Sequence, residues 1–210
     1  GLVNGRTYSV AIRAINAIGP SIATDTATAT PLDVPGAPSG LQAVGGDAEA
    51  SLTWTAPVED NGSPVTDYVV QYATGEAGPY ITFADGESTG TTATVTGLTN
   101  GVTYHLRVGA VNASGTGPWS TTAAATPYTS PDAPTLALEP GDGSLTVEIT
   151  LADDGGSDVT LYEYRVDGGT WRPTGTLSDT FVVSGLTNAT AYDIEVRAPH
   201  AAGPAPAPDA

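Results

Sequence analysis

The chain has 210 residues, 40% of them hydrophobic, a net charge of −17 and neither cysteine nor methionine. Without Cys there is no disulfide framework and no thiolate zinc site. With six arginines and no lysine against 23 acidic residues, the surface suits neither nucleic acid nor an anionic membrane, because phosphate binding is driven by basic charge.

In chain order, the first element is Gly1-Leu2-Val3-Asn4-Gly5-Arg6-Thr7-Tyr8, after which Tyr8, Val10, Ile12 and Ala14 alternate with mostly polar or small residues. That is the period of a strand with one buried face. A turn follows at Asn16-Ala17-Ile18-Gly19. The same writing returns at Gly97-Leu98 to Tyr104 and at Gly185-Leu186 to Tyr192, so the Tyr-led segments recur at spacings of 96 and 88 residues. A period of that size is the size of one small domain. Residues 1–31 therefore supply the last two strands of a first module, and Tyr8, Val10 and Ile12 are expected to lack the sheet that covers them. A hairpin left alone in this way is frayed or sticky. Since the chain opens inside a motif, any export signal is expected upstream. Within the chain no stretch approaches the ~18 apolar residues of a membrane span.

Residues 32–127 read as one complete module. Strands are predicted at 41–44, 50–54, 68–72, 80–83, 92–96, 102–111 and 119–125, separated by Gly, Pro, Asn and Asp. Residues 128–210 read as a second module, with strands at 136–138, 145–151, 161–166, 170–173, 180–184 and 192–198. Its last strand is expected to be short or missing, since Pro204, Pro206 and Pro208 remove ladder donors. The joints at 31–38 and 127–134 carry several prolines and are expected to be semi-rigid. Short strands with no helical periodicity anywhere give an all-β fold of tandem, seven-stranded antiparallel sandwiches.

Several of these features together resemble the fibronectin type III family, an immunoglobulin-like sandwich. They are the entry Pro35-Gly36-Ala37-Pro38, Trp54, the alternating Tyr68-Val69-Val70-Gln71-Tyr72, the segment from Gly97-Leu98 to Tyr104, and Gly117-Pro118-Trp119-Ser120 after Val111-Asn112. The resemblance implies that Tyr8, Tyr104 and Tyr192, with Leu98 and Leu186, form tyrosine corners. In a corner the ring fills the core and the hydroxyl returns to backbone. Trp54 is expected in the core of the complete module. Ile149 stands at the corresponding place in the next one, whose core is expected to be lighter.

No constellation for catalysis is evident. His105 falls on an outward strand position and His200 at a loop start, neither with an orienting group. Gly45-Gly46 and Gly168-Gly169 read as turn glycines, since no Gly-Lys-Ser/Thr follows. Asp132, Asp153, Asp154 and Asp158 are a candidate Ca²⁺ set, with ordinary turn acids as the alternative; otherwise no cofactor is expected. Arg107 is expected to lie over Trp119, while Tyr80, Phe83 and Trp171 are the rings that remain to face solvent.

Three functions compete. The first is a non-catalytic spacer or interaction array in a larger secreted or cell-surface protein, monomeric and joined to neighbouring domains. The second is an accessory module of a secreted polysaccharide-degrading enzyme, with glycan as ligand. The third is an adhesin that takes a protein partner through its loops.

Overall fold

The computed structural model describes residues 1–200 and 203–204. Its packing divides the chain into two compact units. One comprises Gly1–Val44, Ser51–Val95 and Tyr104–Ala125, and the other Gly45–Ala50, Thr96–Thr103 and the chain from Thr126 onward. Among the described residues there is no helix, and antiparallel pairing joins the strands of several sheets.

The first unit begins with a hairpin of four short strands: β1 (Tyr8–Val10), β2 (Ile15–Asn16), β3 (Gly19–Pro20) and β4 (Ala27–Ala29). Tyr8 opposes Ala29, and Asn16 opposes Gly19. With no second sheet over it, the hairpin leaves Val10 at 52% and Ile12 at 69% exposure.

The central sandwich follows. β5 (Ser39–Gly46), β6 (Glu49–Thr55) and β9 (Thr92–Thr96) form one sheet. β7 (Asp67–Ala73), β8 (Ile81–Phe83), β10 (Tyr104–Asn112), β11 (Gly115–Trp119) and β12 (Ala123–Ala125) form the other, in the order β8-β7-β10 with β11 and β12 both paired to β10. Inward positions alternate along each strand, so Ala50, Leu52 and Trp54 from β6 and Leu106, Val108 and Ala110 from β10 are buried. The single last strand expected at 119–125 is two pieces starting at Gly115. Pro118 has no donor, the register slips between Gly109 and Val111, and Ser120 bridges the gap by accepting the Val108 N–H on Oγ at 3.1 Å. Thr24 Oγ1 makes the equivalent bond to Ile12 N–H in the first hairpin at 3.1 Å.

The second unit holds a further sandwich. β13 (Thr135–Gly141), β14 (Ser144–Thr150) and β17 (Thr180–Ser184) pair in that order, and β16 (Arg172–Pro173), β15 (Glu163–Val166) and β18 (Ile194–Arg197) form the facing sheet. β19 (Pro199–His200) and β20 (Gly203–Pro204) close a hairpin in which His200 opposes Gly203. This is the register of Asn16 with Gly19 and of Asn112 with Gly115. The expectation about a proline-interrupted strand beyond Pro204 lies outside the described residues.

The core of this sandwich is not simply lighter. Ile149 is 3% exposed where the central sandwich has Trp54, but Phe181 on β17 is 8% exposed at the place held by Ala93. The aromatic bulk has moved from one strand to its neighbour: Phe181 opposes Val147 and its ring lies 5.1 Å from Tyr164. Large and small residues exchanged across adjacent strands fill the same volume.

Prolines of both joints are packed away from solvent. Pro35, Pro127, Pro131 and Pro134 are fully buried.

Candidate functional site

The first candidate feature is the repeated corner. The Tyr8 hydroxyl accepts the Val3 N–H at 2.9 Å, and the Tyr192 hydroxyl accepts the Thr187 N–H at 3.0 Å. That bond stabilises the ionised form and so lowers the Tyr192 pKa. Tyr104 and Leu98 are buried, whereas Tyr8, Tyr192 and Leu186 are half-buried. Tyr8 lacks a facing sheet, and Tyr192 lies just ahead of β18, beside a shallow surface cleft with Pro140, Leu145 and Ala189. An asparagine four residues before the tyrosine clasps the Tyr104 and Tyr192 corners. Asn100 accepts the Ala48 N–H and donates to the Asp47 carboxylate, both at 2.9 Å, and Asn188 does the same with Gly143 N–H and Asp142, both at 2.8 Å.

The second feature is the outer face of the β7–β10 pair and its counterpart β15–β18. Arg107 opposes Gln71 and donates to its Oε1 at 2.7 and 3.0 Å. Its guanidinium carbon lies 3.8 Å from the Tyr80 ring centre and 4.6 Å from that of Trp119. Trp119 rests over Gly109, where a Cβ would be 3.0 Å from the indole. In the second sandwich the corresponding positions are Arg165 opposite Glu195 and Arg197 opposite Glu163, paired at 2.6 and 2.7 Å. Both guanidinium groups sit over Trp171, at 4.7 and 4.4 Å. Hydrogen bonding to Arg165 holds the Glu195 carboxyl below its ordinary range, and Glu195 in turn raises the Arg165 pKa. Tyr80, Trp119 and Trp171 are therefore each covered by a cation from their own sandwich, and Phe83 is half-buried. The Tyr80 contact and the whole Trp171 cluster go beyond the sequence reading. The signal for the cluster was present as Glu163-x-Arg165 and Glu195-x-Arg197, which place opposite charges face to face across paired strands.

Asn112, one of the residues that carry the family resemblance, is a third element, and its bonding goes beyond the sequence reading. It is 4% exposed, and its Nδ2 donates to the carbonyls of Asp33, Asp60 and Ser63 at 2.8, 3.0 and 3.2 Å. One side chain thus fastens the joint at Asp33 and the β6–β7 loop to the end of β10.

The acidic loops are arranged as turns. Asp153 and Asp154 accept the N–H groups of Gly155 and Gly156 at 2.7 and 2.8 Å, and the Asp132 N–H donates to the Asp153 carbonyl at 3.0 Å. Asp158 is exposed. Among the described residues no three of His, Cys, Asp and Glu gather as a group that could hold a metal ion. His105 is half-buried on β10 opposite Ala73. The His200 side chain lies outside the described residues. No helix among the described residues is long and apolar enough to cross a membrane.

Comparison with known proteins agrees with this geometry. Residues 36–126 match the model of the fibronectin type III domain. The chain is 34% identical over 194 residues to Exoglucanase B of Cellulomonas fimi, an alignment covering 88% of this chain and 17% of that protein. It is 28% identical over 184 residues to the titin homolog of Caenorhabditis elegans, covering 81% of the chain and 1% of that protein. It is also 30% identical over 181 residues to neural cell adhesion molecule L1 of Rattus norvegicus, covering 77% and 14%. The chain thus spans a small part of each of these much longer proteins. With three corners in register, two sandwiches of matching strand order and this family match, the chain belongs to the fibronectin type III domain family.

Proposed function

We propose that the chain is a non-catalytic spacing and interaction array within a larger secreted or cell-surface protein. One observation carries the reading. The same hairpin register recurs three times, while the groups able to do chemistry or bind sugar on the outer sheets, Arg107, Arg165, Arg197, Trp119 and Trp171, are engaged with partners inside their own sandwich. A ring face already covered by a guanidinium has exchanged water for that contact, and a sugar would have to displace it. The long, multi-domain relatives fit a module of this kind.

A second reading has a specific observation in its favour: the similarity to Exoglucanase B runs across 88% of the chain, which suits an accessory module of a polysaccharide-degrading enzyme. Incubating the purified 210-residue chain with insoluble cellulose and with soluble glucans separates the two. The spacer reading expects the protein to stay in the supernatant and to release no sugar. Retention that disappears in Trp119→Ala or Trp171→Ala would replace it with the accessory reading.

A further inference from the structure

The chain presses two glycine turns together twice, once within each packing unit. In the first unit the Asn4-Gly5 turn ahead of Tyr8 meets the Asn61-Gly62 turn between β6 and β7. In the second, the Asn100-Gly101 turn ahead of Tyr104 meets the Gly155-Gly156 turn between β14 and β15. The glycines are equivalent in the repeat, and all four take left-handed backbone angles, with φ of 75°, 91°, 78° and 85° for Gly5, Gly62, Gly101 and Gly156.

Space excludes a side chain at Gly62 and Gly156 and leaves a tight fit for one at Gly5 and Gly101. A Cβ on Gly5 would lie 3.0 Å from Gly62 Cα, and one on Gly101 would lie 3.2 Å from Gly156 Cα. A Cβ on Gly62 would collide with the Gly5 backbone, and one on Gly156 with the backbone of Asn100 and Gly101. Each turn is held in place by the same bonds in both copies. Gly5 N–H donates to the Pro31 carbonyl at 2.8 Å, as Gly101 N–H does to Pro127 at 2.9 Å. Asp33 N–H donates to the Asn61 carbonyl at 3.2 Å, as Thr129 N–H does to Gly155 at 2.8 Å. The carboxylates of Asp60 and Asp154 shape the partner turns by accepting Gly62 and Gly156 N–H at 2.9 and 2.8 Å.

The third corner keeps the turn and loses the glycine. Ala189 stands where Gly5 and Gly101 stand, at φ 61°, and Asn188 makes the same clasp as Asn100. A methyl group therefore projects from the position that elsewhere meets bare backbone.

We propose that the glycine pair is a self-recognition point at which each tyrosine-corner turn accepts the β6–β7-type turn of the module after it. Ala189 makes the third corner refuse that contact, so a module placed after it joins by a different geometry. The inference stands on the contact alone and holds for any role of the array.

Gly101→Ala converts the second corner into the third, and Ala189 itself shows that alanine is compatible with this turn. The chain has no cysteine, so Thr94→Cys and Thr180→Cys, both exposed, provide two spin labels. Because small inter-module interfaces leave relative motion as the default, the distance distribution is expected to broaden about twofold in Gly101→Ala and in Gly156→Ala. Unchanged widths in both variants would overturn the proposal. An NOE between the Gly101 and Gly156 Hα protons in the otherwise unaltered chain reads the contact with no glycine substitution. Its presence is expected, and its absence would equally overturn the proposal.

Discussion

Phe181→Ala tests whether the aromatic ring on β17 replaces the tryptophan that the second sandwich lacks on β14. Phe181 is 8% exposed and belongs to a core with Val147, Ile149, Tyr162, Val183, Val196 and Ala198. Truncating such a ring costs about 3–5 kcal/mol in lost transfer energy and residual cavity. A sandwich of roughly 80 residues has about 4–12 kcal/mol in total, so the variant loses a large fraction of its stability. With a urea slope of about 1–3 kcal/mol/M, the midpoint falls by roughly 2 M. Amide resonances of β15 and β7, followed separately through the titration, read the two sandwiches independently, and only the first set is expected to move. Ile149→Trp alone overpacks the site at a cost of about 1–3 kcal/mol. Combined with Phe181→Ala it restores the arrangement of Trp54 beside Ala93, and the double variant is expected to recover at least half of the single loss, a non-additivity that direct neighbours show. A Phe181→Ala cost below about 1 kcal/mol, or a double variant no better than the single, would refute the exchange of bulk between strands.

Arg107→Ala removes a cation from two rings and is expected to cost about 1–2 kcal/mol, with a red shift of Trp119 emission as the indole is uncovered; chemical denaturation and fluorescence read both. The Glu195 carboxyl is held below its ordinary value of 4.5, so its contribution is present above that pH and is lost as acidification passes the lowered folded value. The melting temperature of the second sandwich should therefore fall as the pH drops below 4.5 and through the lowered folded value, and Glu195→Gln should flatten the dependence. Burial raises the Tyr68 and Tyr162 pKa values above 10.0, so both support the fold below that pH and lose their contribution as pH rises through the raised values. Spectrophotometric titration should show Tyr192 ionising before either. Asn100→Ala leaves the Ala48 N–H without its acceptor and is expected to cost the central sandwich about 1–2 kcal/mol by thermal or urea unfolding.

The strands were legible because their period and punctuation agree. The run at 92–96 forms β9 with those bounds, and the run at 180–184 forms β17. Alternation sets which side chains turn inward, and turn residues set where the strands stop. Other features depend on residues far apart in sequence. Phe181 replaces Trp54 in bulk only because β14 and β17 are neighbours, which single-strand patterns do not state. Tyr192 keeps the Gly, Leu and Asn that precede it in the motif yet is half-buried, since β18 starts at Ile194 and is shorter than β10. Asn112 looked like a turn residue, and its three carbonyl partners come from two other loops. Of the acids weighed as calcium ligands, Asp153 and Asp154 each turn a side-chain oxygen toward the glycine amide two residues on.

Comparing the two sandwiches position by position shows what the outer face preserves. Arg107 with Gln71 becomes Glu195 with Arg165, so the charge on β10 and its counterpart reverses while the cross-strand bond remains. A face built to bind one ligand chemistry would keep its charge sign; a face built to close upon itself needs only a partner opposite. The arginines make the same point. Arg6, Arg107, Arg165 and Arg197, four of the six, lie over aromatic rings. Most of the basic charge is thereby spent within the fold, and what a partner meets is dominated by the 23 carboxylates. Such a surface repels copies of itself and attracts cationic partners over a Debye length of about 8 Å at physiological salt. The paired glycines, by contrast, meet through uncharged backbone.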